Sequence, residues 1–245
     1  MAFNWNILSY DTKWKIVEKM DFFTRFEFKK SSNENRQLVE RVPFYCDYVS
    51  VRRYDNSVPM NITHECEVLV SSSGVTIRNN RNNTRPRIVM SYEEGMDWLR
   101  YMLRAFVSLH NVCILYFEIS MEFHELFPNP GIRLHIKKIT FCPTCVDHQT
   151  WLNVLARQPV VVQICERSSG LGLLPVIKNV KELNLQDSND IDNDQLLNLN
   201  AKDIHLENSQ VTDQGINAFI KKKIVDGFGM VRFSKKLKSY MEQPG

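Results

Sequence analysis

The chain has 245 residues and a net charge of +3, with 31 Lys and Arg against 28 Asp and Glu. Hydrophobic residues at 43% and charged residues at 24% are close to globular averages, which argues against a disordered, collagen-like or coiled-coil protein. The small net charge does not indicate binding to nucleic acid or to a membrane surface. The length predicts one large domain or a small module joined to a medium one.

Several features indicate where the protein resides. The start, MAFNWNILSYD, lacks the basic segment and apolar core of a secretory signal, and the longest apolar run, 112–117, is far too short for a membrane span. The cysteines lie mostly singly inside apolar segments, which favours buried thiols in a reducing compartment over a disulfide framework. They are Cys46, Cys66, Cys113, Cys142, Cys145 and Cys165. We expect a cytoplasmic or nuclear protein that is not secreted.

Residues 1–45 are predicted to form a helical module. Six of the 14 Phe residues lie here, and helices are expected over 10–20, 22–30 and 33–42, ending at Pro43. The apolar side chains of the first helix span about 180°, although a helix that packs on one core needs only about 100°. The surplus apolar surface must therefore contact another protein or the rest of this chain.

Residues 46–91 are predicted to be a strand-rich connecting segment. Apolar and polar residues alternate with a period near two over 48–54, 66–70, 75–79 and 87–91, and Gly, Asn, Ser and Pro separate these stretches. From residue 92 to 245 the pattern changes to helices separated by short apolar strands.

The region 92–245 contains a repeat. Segments 137–155, 180–199 and 202–220 each carry an apolar-x-apolar strand, a polar turn and a helix, and 160–177 fits more loosely. The period of roughly 20–23 residues is that of leucine-rich repeats. Aligned positions begin the strand (Ile139, Leu183, Ile204), complete it (Phe141, Leu185, Leu206) and cap the helix (Asp147, Asp192, Thr212). The alternative is an ordinary α/β domain with evenly spaced strands.

Cys142-Pro-Thr-Cys145, followed by His148, could indicate a zinc or redox site. A structural zinc site needs four ligands, and the sequence has no second pair of this spacing. In the aligned repeats these positions are plain strand-to-helix turns. We therefore predict no metal here, and a small zinc or thiol enzyme is the minor alternative.

Two further runs of charge have simpler interpretations. The acidic run 187–194 lacks the Gly and the final Glu of a calcium loop, so Asp192 is predicted to cap a helix. The run 78–87 contains four Arg and could bind phosphate, but a long hairpin loop is favoured. Motifs for a nucleophilic serine, a P-loop or a zinc protease are absent. No catalytic residue and no cofactor are predicted.

Two ends of the chain resemble one family. Leu8-Ser9-Tyr10-Asp11, Trp14 and the segments 16–20, 24–32 and 35–44 resemble an F-box of the form found in large nematode F-box families. Residues 181–224 are similar to the F-box-associated region of the same proteins. The family begins with Leu-Pro where this chain has Leu8-Ser9, so a weaker start of the first helix is expected.

The resemblance implies a fold and a function. The fold class is α+β or α/β, with an N-terminal three-helix F-box-like module followed by a leucine-rich-repeat-like βα solenoid. The function implied is that of a substrate-receptor subunit of an SCF-type cullin ubiquitin ligase, which itself is not an enzyme. The F-box would bind a Skp-family adaptor, and through it a cullin, with Leu8, Trp14, Ile16, Val17, Met20 and Phe23 as adaptor contacts or as supports of the contacting helices. A ubiquitin-independent repeat scaffold for protein binding is the alternative.

Target binding is assigned to the outward residues of the repeat strands. In an apolar-x-apolar strand the middle residue faces away from the core, and stacked strands bring these residues into one surface. The middle residues are Thr140, Gln163, Asn184 and His205, with Lys138 and Glu207 beside them. We predict that Lys138, Gln163, Asn184 and His205 determine target specificity. The alternatives are a merely solvated face and recognition by Arg78, Arg81, Arg85 and Arg87.

Overall fold

The computed structural model describes residues 5–63, 66–79, 87–107, 112–127, 131–142, 148–167, 174–187, 191–227 and 232–236. Within these ranges, eleven strands form one open sheet in the order β11-β10-β9-β8-β7-β6-β1-β2-β3-β4-β5. Helices precede this sheet and connect its strands, so the fold is mixed α/β. None of the described helices combines the length and apolar composition that crossing a bilayer requires.

The N-terminal region forms helices where the sequence predicts them. A 3₁₀ turn is followed by three α-helices with side-chain caps at Ser9, Asp21 and Ser32. The elements are the turn Trp5–Ile7, α1 (Tyr10–Lys19), α2 (Phe22–Ser31) and α3 (Asn33–Arg41). The Ser9 hydroxyl accepts a hydrogen bond from the Thr12 N–H at 3.2 Å. Ser9 thus supplies a side-chain cap at this helix start, and the expectation of a start weaker than that of Leu-Pro stays a prediction.

These helices share a small core of their own. Its buried apolar members are Val17, Leu38, Val39 and Val42, and Trp5, Trp14, Met20 and Phe28 pack around them. The indole of Trp5 meets the ring of Phe28 edge-on at a centroid distance of 4.9 Å. This core is too small to account for all the apolar residues of the module.

Arg25 of α2 ties the module to the sheet. Its buried guanidinium donates hydrogen bonds to the carbonyls of Val42 at 3.0 Å and of Pro43 and Glu18 at 3.2 Å. The same group lies 4.8 Å from the centroid of the Phe44 ring, at the start of the first strand. One side chain therefore binds carbonyl oxygens near the ends of α1 and α3 that helical bonding leaves free.

One half of the sheet is antiparallel. It consists of β1 (Phe44–Val51), β2 (Ser57–Ile62), β3 (Cys66–Ser71), β4 (Gly74–Asn79) and β5 (Arg87–Ile88). The sequence did not predict β2, because Pro59 within it disfavours a strand. The stretch predicted over 87–91 forms a strand only at its first two residues. One helix, α4 (Tyr92–Val107), packs on β3 and β4 through buried Met96, Leu99, Met102 and Leu103.

The other half is parallel and begins at the same β1. Strand β1 pairs in parallel with β6, and each later strand pairs in parallel with the one before it. The elements are β6 (Val112–Ile119), α5 (Phe123–Leu126), β7 (Ile136–Phe141), α6 (His148–Asn153), β8 (Val161–Arg167), α7 (Pro175–Lys178), β9 (Glu182–Asp187), α8 (Asn193–Leu197), β10 (Asp203–Glu207), α9 (Asp213–Val225) and β11 (Arg232–Lys236). The predicted segments 46–91 and 92–245 therefore contribute to one sheet and one core.

The strands of the predicted repeat lie in register. Ile139, Val162, Leu183 and Ile204 are successive Cα partners, and so are Phe141, Ile164, Leu185 and Leu206. All eight side chains are buried. Asp192 and Thr212 cap α8 and α9 as predicted, whereas Asp147 lies outside the described residues.

Trp151 of α6 anchors the helical layer of the repeat. Its buried ring packs against Phe117, Phe123 and Phe127 at centroid distances of 5.5, 5.1 and 5.9 Å. The indole N–H donates to the carbonyl of Met121 at 2.9 Å. Strand and helix thus bury their apolar faces against each other, as the recurring apolar positions of the repeat predict.

Candidate functional site

A row of polar side chains crosses the parallel half of the sheet on the face opposite the repeat's core residues. Successive Cα partners bring one residue from each of seven strands into this polar row, which consists of Ser50, Glu118, Thr140, Gln163, Asn184, His205 and Ser234. Side chains alternate along a strand, so these residues point away from the face that carries Ile139 and Phe141. Three of the four predicted target-binding residues, Gln163, Asn184 and His205, are neighbours in this row.

The fourth predicted residue lies in the adjacent row of the same face. Lys138 is the Cα partner of Tyr116 and of Val161, and that row continues through Glu182 and Asp203. The Lys138 ammonium lies 5.0 Å from the centroid of the Tyr116 ring. The electron-rich face of the ring attracts this cation. Lys138 thus lies on the same face as the other three residues, in a row that is two positions earlier along the strands.

Accessibility divides the polar row into two parts. Ser50, Glu118 and Thr140 are buried, with only 3% of Thr140 exposed, whereas Gln163, Asn184 and His205 are half-buried. The expectation that Thr140 faces solvent is therefore wrong, although it lies on the predicted face. The part that a protein partner can reach is the part formed by β8, β9 and β10.

Glu118 organises the buried part of the face. Its carboxylate accepts hydrogen bonds from Tyr48 Oη at 2.8 Å, Arg52 Nη2 at 2.6 Å and Cys142 Sγ at 2.8 Å. Burial alone raises the pKa of Glu118, but the bonds from Arg52, Cys142 and Tyr48 outweigh it and hold the pKa below its ordinary value. Sequence reasoning missed this group, although a lone acid within the apolar strand 112–119 is a usable signal.

The accessible part of the face carries charged side chains. His205 Nε2 lies 3.3 Å from Glu207 Oε1 within β10, and Asp203 precedes them on the same strand. Glu182 of β9 is exposed and is the Cα partner of Asp203. Arg232 of β11 lies beside this group, with Nη1 4.0 Å from Asp203 Oδ2, and Lys236 is the Cα partner of Glu207. This part of the face therefore presents both signs of charge to a partner.

The described residues of the Cys142-Cys145-His148 group do not form a site. Cys142 reaches Glu118 on the polar face, whereas His148 is buried edge-on against Phe141, which faces the core, at 4.8 Å. Burial, together with the bond to Glu118, raises the pKa of Cys142 to about 12, so its thiol is protonated and a poor metal ligand at neutral pH. Cys145 lies outside the described residues, among which no group of three or more His, Cys, Asp or Glu could hold a metal ion.

The predicted adaptor-binding residues differ in accessibility. Val17 is completely buried in the module core, so it supports α1 and cannot itself contact a partner. Leu8, Trp14, Ile16 and Met20 are half-buried, and the side chain of Phe23 lies outside the described residues.

Two exposed apolar residues were missed at the same end of the module. Ile7 is 78% exposed and Tyr10 is 52% exposed, and the Tyr10 ring lies 6.1 Å from that of Trp14. Large apolar side chains on both sides of the helix cap Ser9 were the available signal.

The other predicted features fall partly outside the described residues. Arg78 of β4 lies 3.8 Å from Glu67, whereas Arg81, Arg85 and the side chain of Arg87 lie outside the described residues. Among the described cysteines, all are free thiols, and burial raises the pKa of Cys46 and Cys66 to about 12. These two agree with the predicted buried thiols, whereas Cys113, Cys142 and Cys165 are half-buried.

Comparison with known proteins identifies one part of the chain. Residues 175–224 match the family described as F-box associated. The match runs from α7 to near the end of α9 and includes β9 and β10 of the polar face. It confirms the F-box-associated region expected over 181–224. No curated protein matches the chain significantly.

Proposed function

We propose that this chain is a substrate-receptor subunit of an SCF-type cullin ubiquitin ligase. The helical module would bind a Skp-family adaptor, and through it a cullin, while the β8–β10 part of the polar face would bind the target protein. The observation that carries the proposal is the F-box-associated match at 175–224, which follows three helices that resemble an F-box.

The accessible apolar residues of the module support the adaptor half of the proposal. Ile7 and Tyr10 are exposed, the Tyr10 ring lies 6.1 Å from that of half-buried Trp14, and neither Ile7 nor Tyr10 belongs to the small module core. Exposed apolar side chains that cluster at one end of a module mark a protein interface.

The polar face supports the target half. Gln163, Asn184 and His205 lie side by side on three strands, at the point where the F-box-associated match begins to contribute strands. A sheet holds such side chains at fixed spacing, so a partner meets a preorganised surface. Ubiquitin transfer would belong to other subunits, and this chain would need no catalytic residue or cofactor. The complex would act in the cytoplasm or nucleus.

Co-expression with a Skp-family adaptor tests the proposal. The double variant Ile7→Asp, Tyr10→Asp places charge at exposed positions, so the fold should persist while the adaptor no longer co-purifies. The half-buried pair Ile16→Asp, Met20→Asp should have the same effect. Ile224→Asp, Val225→Asp is the matched control, because both residues are exposed on α9 far along the chain, and it should retain the adaptor. Adaptor binding unchanged in a folded Ile7, Tyr10 variant would contradict the proposal.

One observation favours the scaffold alternative. Phe22 is buried in the core shared with the sheet, and Phe26 packs edge-on against Tyr101 of α4 at 6.1 Å. Part of the module's apolar surface is thus covered by other residues of the same chain. If the chain is a ubiquitin-independent scaffold, it should be monodisperse when expressed without a partner, and it should capture no Skp-family adaptor.

A further inference from the structure

A cavity of about 530 Å³ lies at the amino ends of the parallel strands. Residues at the starts of β1, β6 and β7 line it, together with the segment that leads into β8. On β7 its lining residue Ile136 is four positions before Thr140 of the polar row, which corresponds to roughly 13 Å along a strand. Lys138 is only two positions from Ile136, so this amino-end cavity lies beside Lys138 and before the β8–β10 part of the polar face.

The walls of the amino-end cavity are apolar. Val112 and Ile136 form buried parts of its lining, and Tyr45 and Val160 border it with 65% and 40% of their surface exposed. Aromatic and aliphatic side chains left in water at the edge of a concave site favour an apolar ligand group. The exposed border also leaves the cavity open on one side, so a bound group can continue into a longer chain.

The polar groups of the cavity carry one sign of charge. Lys137, Arg157 and His135 line it, and no acidic residue is among the lining residues that the structure describes. Within the described residues, no carboxylate lies within 4.0 Å of the Lys137 ammonium or the Arg157 guanidinium. Other exposed cations of the chain, such as Lys30 and Arg36, do have carboxylate partners. Two exposed cations that have no carboxylate partner among the described residues, next to an apolar wall, favour a ligand that is both anionic and apolar.

We propose that the amino-end cavity binds the free C-terminus of a peptide that ends in a large apolar residue. The last side chain would lie against Val112 and Ile136, and the terminal carboxylate would accept hydrogen bonds from Arg157 and Lys137, since the guanidinium fork matches a carboxylate. Sites for small molecules normally enclose their ligand almost completely. Because this cavity is open on one side, a peptide fits it better than a small free acid. This proposal stands independently of the proposed ligase role.

Titration calorimetry on the full chain tests it with defined probes. The first probe is a pentapeptide that ends in Leu-Phe with a free carboxylate, and the second is the same peptide with a C-terminal amide. We expect the carboxylate peptide to bind at least tenfold more tightly, because charge-assisted hydrogen bonds depend on the anion. Arg157→Gln and Lys137→Gln should each weaken its binding about tenfold, which corresponds to about 1.4 kcal/mol. Lys221→Gln, at an exposed position on α9, is the matched control and should leave binding unchanged.

Each other outcome overturns the proposal. Equal binding of the acid and amide peptides would show that the cations take no part. Binding of 4-phenylbutyrate without binding of the peptide would assign the cavity to small free acids. Absence of any binding at millimolar peptide, or binding that survives Arg157→Gln in a folded variant, would remove the cavity as a carboxylate site.

Discussion

The helical module and the sheet differ in how much apolar surface stabilises each of them. The module encloses four buried apolar side chains and leaves Ile7 and Tyr10 in water, whereas the sheet buries a continuous apolar core from β4 to α9. Hydrophobic stabilisation grows with the apolar area buried, so the sheet holds its own fold and the module depends on its contacts. A region that depends on contacts is suited to binding a partner, and a rigid sheet is suited to presenting a surface.

The junction between the two regions contains one buried charged group. Arg25 is buried without a carboxylate hydrogen-bond partner and donates instead to backbone carbonyls at the ends of α1 and α3 and at Pro43. Burial lowers the pKa of Arg25 to about 10, so the guanidinium remains charged at neutral pH. These hydrogen bonds hold the helices of the module to one another and to the segment that leads into β1, whereas the contact of Arg25 with the Phe44 ring and the packing of Phe22 and Phe26 join the module to the sheet.

The largest expected effect is that of Trp151→Ala in the sheet. Removing a fully buried indole among three aromatic rings should lower the free energy of unfolding by about 4 kcal/mol, through lost packing and a residual cavity. Trp14→Ala, at a half-buried position in the module, is the matched control and should cost less than half as much. Urea unfolding followed by circular dichroism measures both, and equal losses would contradict the contrast between the two regions.

Arg25→Met should act on the module alone. The substitution keeps an apolar stem but leaves several buried carbonyls without donors, which should destabilise the module by about 3 kcal/mol. Hydrogen exchange should then accelerate over 10–41 and remain slow in β7 to β10. Arg36→Met removes an exposed guanidinium from the same module and serves as control. Uniformly faster exchange across the sheet would mean that the regions unfold together.

Because of Glu118, the free energy of unfolding should depend on pH in the acidic range. Its folded pKa lies below the ordinary value, so its stabilisation is complete above about pH 4.3 and is lost as the pH falls through the folded pKa. Glu118→Gln should lower stability by about 2 kcal/mol at pH 7, and this difference should shrink below about pH 4. Chemical unfolding at a series of pH values provides the measurement. The exposed Glu93→Gln serves as control, and a pH-independent difference would refute the role of the charge.

Ser9→Ala should give the smallest effect. Loss of the hydroxyl that accepts the Thr12 N–H should cost about 1 kcal/mol of helix stability. Faster hydrogen exchange confined to the first turn of α1 is the expected sign, and Ser9→Asp, which can also cap, should behave like the unaltered chain. Slower exchange in Ser9→Ala would show that Ser9 does not stabilise the helix start.

Local signals allowed much of the fold to be predicted. The helices of the module and the caps at Asp192 and Thr212 follow from residue types at neighbouring positions. The alignment of Ile139, Leu183 and Ile204 follows from a period in the sequence, and the structure places these residues in one register. From that period, the shared face of Gln163, Asn184 and His205 could be predicted as well.

The remaining features depend on contacts between distant segments. Strand β2 contains Pro59 and forms because β1 and β3 flank it, and the bonds of Glu118 join residues up to 70 positions apart. The burial of Thr140 and the grouping of Lys137 with Arg157 are likewise set by packing. No local pattern reports such neighbours, so sequence reasoning could not find them.

The position of β1 has a consequence for synthesis on the ribosome. One edge of β1 can pair with β2 as soon as the hairpin emerges, but its other edge waits for β6, which begins roughly sixty residues after β1 ends. At translation rates of about 5–20 residues per second, that edge stays unpaired for roughly 3–12 seconds. During this interval the nascent antiparallel half presents an open strand edge to other chains. We therefore expect chaperone capture of the nascent chain to peak between the emergence of β4 and that of β6.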